Sequence, residues 1–95
     1  MIILHVTYTA KPGQKENYLK AVDAAGIDAA SRAEAGNVRY DYFYAAQQEN
    51  TILLVEVWET AAALEAHKAT AHFQQLASIK DQYIEQTAVE RFAWE

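Results

Sequence analysis

The chain has eight basic and thirteen acidic residues among 95, a formal charge of -5, which argues against nucleic acid as a partner because phosphate binding needs a basic surface. It has no cysteine, which excludes disulfides, thiolate metal sites and a cysteine nucleophile. Met1 is followed by strand-like residues rather than a basic leader, and no apolar run reaches the ~20 residues of a membrane span. We therefore expect one cytoplasmic domain, residues 1–95, that does not bind a membrane.

The first half of the chain predicts two strands around one long helix. Residues 2–9 (IILHVTYT) are β-branched and aromatic, as is typical of a strand, and Pro12 ends the pattern. Residues 14–35 repeat apolar side chains at three- and four-residue steps, which predicts a single helix ending at Gly36. Residues 38–44 (VRYDYFY) predict the second strand.

The second half predicts a strand, two helical segments and a last strand. These elements cover residues 51–59, 61–69, 71–80 and 85–94. Thr60 and Thr70 are suitable N-caps for the two helical segments. The order is then β-α-β-β-α-β, which predicts an α+β ferredoxin-like fold with a four-stranded antiparallel sheet.

The third strand is apolar on both sides. Alternation divides its side chains into two sets: Leu53, Val55 and Val57 on one face, and Ile52, Leu54, Glu56 and Trp58 on the other. Helices can cover only one face of such a sheet. We therefore expect a homodimer that packs sheet to sheet and closes a β-barrel.

The second strand carries alternating tyrosines and a pair of opposite charges. We expect Tyr40, Tyr42 and Tyr44 to form a half-buried strand face that contacts the partner subunit, with at most one of them touching a ligand. Arg39 and Asp41 are expected to pair at the surface, an interaction that implies no function.

Four short segments carry a resemblance to a known family. They are GNVRYD at 36–41, VEVWE at 55–59, ALEAH at 63–67 and HF at 72–73. Together they resemble the antibiotic biosynthesis monooxygenase (ABM) domain family, with Asn37 and Val55 where the family often has cysteine and tyrosine. The resemblance implies a dimeric α/β barrel with a substrate pocket between sheet and helices. Relatives include cofactor-free oxygenases of quinols and anthrones, haem-degrading enzymes and a sugar-phosphate isomerase.

The resemblance also suggests site residues. It places the face that carries Leu54, Glu56 and Trp58 in the pocket, although Trp58 could simply fill core volume and Glu56 could be a structural partner of a histidine. His5 matches a pocket-facing polar position of haem-degrading relatives, although a hydrogen-bonded structural role is an equal alternative. His67 is favoured over His72 for the pocket.

We therefore predict two sets of site residues. The catalytic set is His5, Trp58 and His67; the substrate-binding set is Leu54, Glu56, His72 and Phe73.

No metal or cofactor is predicted. The spacing of His67 and His72 is not a zinc signature, we find no acidic residue placed to complete such a site, and there is no glycine-rich dinucleotide fingerprint. We predict a cofactor-independent monooxygenase that oxidises a small electron-rich aromatic, quinol-like or anthrone-like, after His5 or His67 removes a proton. A non-redox isomerase, a non-catalytic small-molecule-binding dimer and, with less support, a haem-degrading enzyme with His67 as axial ligand are the alternatives.

Overall fold

The structure, a computed structural model, describes residues 1–94 and has the predicted α+β ferredoxin-like arrangement, with two helices in each half of the chain. The elements are β1 (Ile2–Ala10), α1 (Lys15–Ala24), α2 (Ile27–Arg32), β2 (Asn37–Tyr44), β3 (Thr51–Trp58), α3 (Ala61–Lys68), α4 (Ala71–Tyr83) and β4 (Ile84–Ala93). The four strands form one antiparallel sheet in the spatial order β2-β3-β1-β4. No helix within residues 1–94 is long and apolar enough to cross a membrane.

The prediction of a single helix over residues 14–35 is wrong, because the helix is interrupted at Gly26. This glycine has φ 72°, in the left-handed region that ends a helix at little cost only when no Cβ is present. α1 ends just before it and α2 begins just after it. The alanine-rich periodicity continues through the break, so each half still buries an apolar face, with Tyr18 and Val22 on α1 and Ile27 on α2.

The two helices of the second half are confirmed, and so are their caps. The Thr60 side chain accepts the Ala63 N–H at 3.1 Å, and the Thr70 side chain accepts the Phe73 N–H at 3.2 Å. α4 runs three residues further than predicted, and β4 follows it without a loop.

The register of the strands decides which side chains face the helices. Leu4 of β1 lies opposite Glu56 of β3 and Arg91 of β4, so these three share one face. Alternation then puts buried hydrophobic residues of the two central strands on that helix-covered face: Leu4, Val6, Tyr8, Ile52, Leu54 and Trp58. The opposite face, which we call the open face, carries Ile3, His5, Leu53, Val55, Val57 and Phe92, each half-buried or exposed.

The tyrosines of β2 lie on the helix-covered face of the sheet, and their expected contact with a partner subunit stays a prediction. Tyr40 pairs with Glu56 and Tyr42 with Leu54, so both point toward the helices. Tyr40 is buried, whereas Tyr44 at the end of the strand is exposed. The expected charge pair does form, with Arg39 Nε and Asp41 Oδ2 2.9 Å apart at the surface.

Candidate functional site

A cavity of about 270 Å³ lies between the helix-covered face of the sheet and the helices α3 and α4. β4 forms one wall; as an edge strand it is exposed along almost its whole length. Aliphatic and aromatic side chains supply most of the lining, including Leu64 and Phe73. Glu56 and His67 are polar groups of the lining. The cavity thus has the form of a small-molecule site, a mostly apolar concavity with a few polar groups.

Five side chains form a connected polar cluster beside the cavity, which we call the Glu34 network. Trp58 Nε1 donates to Glu56 Oε1 at 3.1 Å, and Glu56 Oε1 lies 3.9 Å from His67 Nε2. On the other side of the same ring, His67 Nδ1 is 2.6 Å from Glu34 Oε2, and His72 Nε2 is 2.8 Å from that oxygen. The network therefore runs from the buried Trp58 past the cavity wall to the partly exposed His72.

The turn between α2 and β2 holds Glu34 against α3. Gly36 in this turn has φ 84°, and a Cβ built on it would lie 2.6 Å from the Ala63 side chain of α3, a distance at which something must shift. The Gly36 carbonyl also accepts the Glu59 N–H at 2.8 Å. Only glycine permits this approach, so the turn and α3 are packed together and the distance between Glu34 and His67 is set by the fold.

Glu56 has a carboxyl group that is unfavourable to ionise where it lies. Only 6% of the residue is exposed, and burial raises its pKa because the charged form loses its hydration. The hydrogen bond from Trp58 and the nearby His67 oppose this shift, while Glu34 adds to it. Burial dominates, so the neutral carboxyl is favoured over a wider pH range than in water.

Three of the seven predicted site residues line the cavity: Glu56, His67 and Phe73. Leu54 and Trp58 do not; both are fully buried, and Trp58 packs behind the wall with its ring centroid 4.7 Å from that of His67. Trp58 therefore fills core volume, which was the alternative, and does not line the cavity wall. His72 touches the site through Glu34.

His5 lies on the open face, so the prediction that it points into the pocket is wrong. Its neighbours Leu4 and Val6 face the helices, and alternation turns the side chain between them the other way. Its ring packs edge-on against Phe92 with centroids 5.2 Å apart. His5 and His67 are therefore separated by the sheet.

Glu34 is the site residue that the sequence did not reveal. It stands 33 residues before His67, and its one signal is an acidic side chain near the end of an alanine-rich stretch, which is typical of any solvated helix end. It supplies the acidic group whose absence argued against a metal site. The ligand atoms of Glu34, His67 and His72 lie within 4.8 Å of one another, and two histidines with a glutamate could hold a divalent transition metal. Both histidines also lie within hydrogen-bond distance of the same Glu34 oxygen, Oε2.

Comparison with known proteins gives the family. The model of the family described as "Antibiotic biosynthesis monooxygenase" matches residues 1–78. The chain belongs to this family. A Bacillus subtilis member named "Putative monooxygenase YcnE" is 40% identical over 74 residues, which are 78% of this chain and 76% of the relative.

Two solved structures of bacterial proteins have the same fold as this chain. PA3566 from Pseudomonas aeruginosa has a TM-score of 0.86 at 29% identity, covering 99% of this chain and 93% of that one. A protein from Nitrosomonas europaea described as a "putative antibiotic biosynthesis monooxygenase" has a TM-score of 0.87 at 23% identity, covering 99% and 98%. The second likeness concerns the fold alone.

Proposed function

We propose that this protein is a cofactor-independent monooxygenase that oxidises a small electron-rich hydroxyarene with O2, with His67 as the general base. The observation that carries the proposal is the placement of His67 between Glu34 and the cavity. Its Nδ1 is 2.6 Å from the Glu34 carboxylate, which leaves Nε2 on the side of Glu56 and the cavity. A carboxylate behind a histidine fixes the tautomer and stabilises the imidazolium that forms.

The remaining groups of the network suit this role. Glu56 Oε1 lies 3.9 Å from His67 Nε2, so the carboxyl group lies beside the ring nitrogen that would take the proton. Trp58 holds Glu56 in place through its N–H and packs against the His67 ring. These two residues position the base rather than react.

The reaction balances without an external reductant. His67 takes the proton of a ring hydroxyl, and the electron-rich phenolate ring gives electrons to O2 and forms a C–O bond at a ring carbon that carries hydrogen. The O–O bond of the resulting hydroperoxide then breaks, water leaves, and the ring carbon becomes a carbonyl. One hydroxyarene and one O2 give one quinone and one water.

The size of the cavity restricts the substrate. Ligand pockets are commonly about 300–1,000 Å³, and this cavity of about 270 Å³ is at the small end. It suits one or two fused rings better than the three rings of an anthrone. Apolar side chains around such a ring exclude water, which would otherwise hydrate the phenolate and slow its reaction with O2.

The two enzymatic alternatives predict different observations. A non-redox isomerase would use the same base and would turn over its substrate without oxygen. A haem-degrading enzyme would need His67 as an axial ligand, and the four-pyrrole ring of haem is larger than the one or two fused rings that a cavity of about 270 Å³ suits. The haem alternative therefore has less support.

We also infer a homodimer that buries the open face of the sheet. Leu53, Val55 and Val57 are aliphatic and half-buried, and Phe92 beside them is exposed. Contiguous apolar surface of this kind marks an interface, and a second copy of the same sheet would offer an apolar surface of the same kind. Sedimentation equilibrium over a range of concentrations tests this inference.

Oxygen uptake tests the proposed activity. The purified protein is treated with a chelator, dialysed and mixed with naphthalene-1,4-diol or 1-naphthol in an oxygen electrode. Uptake that saturates with substrate, releases one quinone and no hydrogen peroxide per O2, and survives chelation is the expected result. Uptake no faster than autoxidation, or quinone formation that stops on chelation, contradicts a cofactor-independent monooxygenase.

A further inference from the structure

The cavity has the opposite charge balance to the rest of the chain. The chain has a formal charge of -5, yet Lys68, Lys80 and Arg91, three of its eight basic residues, line this one cavity. Glu56 is the one acidic residue in the lining formed by residues 1–94, and burial raises its pKa. The cavity is therefore positive in a protein that is negative elsewhere, and such a field draws anions.

The basic groups lie at two separate levels of the cavity. Arg91 lies in one row of the sheet with Leu4 and Glu56, because Leu4 pairs with both. Lys80, in the last turn of α4, lies over the Tyr8 ring with its ammonium 5.8 Å from the ring centroid. Leu4 and Tyr8 are four residues apart on one strand, which is roughly 13 Å. A one- or two-ring ligand can therefore place one end at His67 and the other at Lys80.

The Lys80 end has the groups an anion needs. Thr87 lies opposite Tyr8 on β4 and brings a hydroxyl group into the same part of the lining. Within residues 1–94, no carboxylate lies within salt-bridge distance of Lys80, whereas the ammonium of Lys68 is 3.1 Å from Glu65. Tyr8 does not compete as an anion, because burial raises the pKa of its phenol. Lys80 is thus the cavity cation best placed to meet a charged ligand far from the Glu56 carboxyl.

We propose that the cavity binds a small ring compound bearing an anionic group, a carboxylate or a phosphate, with the anion held by Lys80 and Thr87. The inference rests on the proposed function for the direction of the ring, since the reacting hydroxyl group then lies at His67 and the anion points away from it. Arg91 and Lys68 add positive potential at the other end. The substrate class is a hydroxyarene carboxylate or phosphate rather than a neutral quinol.

Binding of stable probes tests this independently of turnover. 2-Naphthoate, 2-naphthyl phosphate and the neutral 2-naphthamide share one ring system and have no ring hydroxyl to oxidise. Isothermal titration calorimetry at about 0.1 M salt, where exposed charges are only partly screened, gives the affinity of each. We expect one or both anions to bind about tenfold or more tightly than the amide, because a charge-assisted contact is stronger than a neutral one. The tighter anion identifies the group.

Two variants locate the anion. Lys80→Met should remove most of the anion preference and leave amide binding nearly unchanged. Lys20→Met changes the net charge equally on an exposed part of α1 that does not line the cavity, and it should keep the preference. Equal binding of anions and amide, failure of all three probes to bind, or a preference that survives Lys80→Met overturns the inference. Oxygen uptake with a neutral naphthol would then still stand, whereas anion binding without any oxygen uptake would remove the proposed activity and leave this site.

Discussion

The two faces of the sheet are built from the same kinds of residue but have different surroundings. On β3, Leu54 and Leu53 are neighbours; the first is fully buried under the helices and the second is half-buried on the open face. Two of the three histidines show the same contrast, since His67 lies in the cavity wall and His5 packs on Phe92 across the sheet. Residue type alone therefore says little about role here. The side of the sheet decides it.

Replacing the two histidines, one at a time, gives the largest expected difference. His67→Gln keeps a hydrogen-bonding side chain next to Glu34 but removes the base, and we expect turnover to fall about 10²- to 10⁴-fold, the usual contribution of general base catalysis. His5→Ala should change turnover by less than about twofold, because the side chain points away from the cavity. Oxygen uptake of both variants measures this, with circular dichroism to verify folding. A larger loss in His5→Ala than in His67→Gln would assign the base to the open face.

A charge on the open face tests whether that face is covered. Val55→Lys puts an ammonium group in the middle of the expected interface, where an unpaired buried charge costs about 3–5 kcal/mol. We expect a monomer of unchanged secondary structure at concentrations where the parent is a dimer. Asn17→Lys on α1 adds the same charge to an exposed position and should leave the dimer intact. Sedimentation equilibrium separates the two, and a dimeric Val55→Lys variant would place the interface elsewhere.

The leucine pair measures the difference in burial directly. Leu54→Ala should lower the free energy of unfolding by about 2–5 kcal/mol, as expected when a fully buried leucine leaves a cavity. Leu53→Ala should cost about 1 kcal/mol or less in the monomer, because its environment is already partly solvent. Urea unfolding in the Val55→Lys background keeps both variants monomeric. Equal losses at the two positions contradict the assignment of faces.

The smallest expected effect concerns the buried carboxyl group of Glu56. Its pKa in the folded protein is raised above its ordinary value of 4.5, so the folded state retains a proton that the unfolded chain loses. Stability from this group is therefore present below about pH 4.5 and falls as pH rises through the folded pKa. Glu56→Gln cannot ionise, and its amide oxygen can still accept the Trp58 N–H.

We expect the stability of Glu56→Gln relative to the parent to increase from pH 4 to pH 8. The gain in the free energy of unfolding should be smaller than the loss in Leu54→Ala. His67, Glu34 and Lys68 act on the Glu56 carboxyl group and remain in both proteins, so the difference between the melting temperatures of variant and parent isolates Glu56. A difference that does not change with pH shows that Glu56 ionises as freely as in water.

The sequence predicts the fold well because each strand has its own periodicity. Alternating β-branched and aromatic residues mark all four strands, and Thr60 and Thr70 mark two helix starts, since both signals are local. The break at Gly26 is missed because alanines on either side continue the helical pattern. A left-handed residue depends on how two helices pack on a sheet, which no local pattern records.

The site is predictable only where the chain itself brings groups together. His67 and Phe73 are found through their place in the family pattern, and both line the cavity. His5 is misplaced because its face follows from pairing with β3, where Val55 rather than Glu56 is its partner. Glu34 is missed because its partners His67 and His72 lie 33 and 38 residues away. Such contacts belong to the fold and are absent from sequence spacing.

The close approach of Gly36 to Ala63 has a consequence for how a ligand enters. It fixes the α2–β2 turn to α3, so this side of the cavity opens only if a packed contact and the Glu59–Gly36 hydrogen bond separate. The other side is bounded by β4, whose outer edge has no neighbouring strand within residues 1–94 and whose cavity-lining residues are exposed. A ligand of the cavity would therefore enter between α4 and β4, where the lining residues of β4 are exposed. The side that holds Glu34 and His67 is the closed side of the cavity, which would keep the proposed base apart from the entrance.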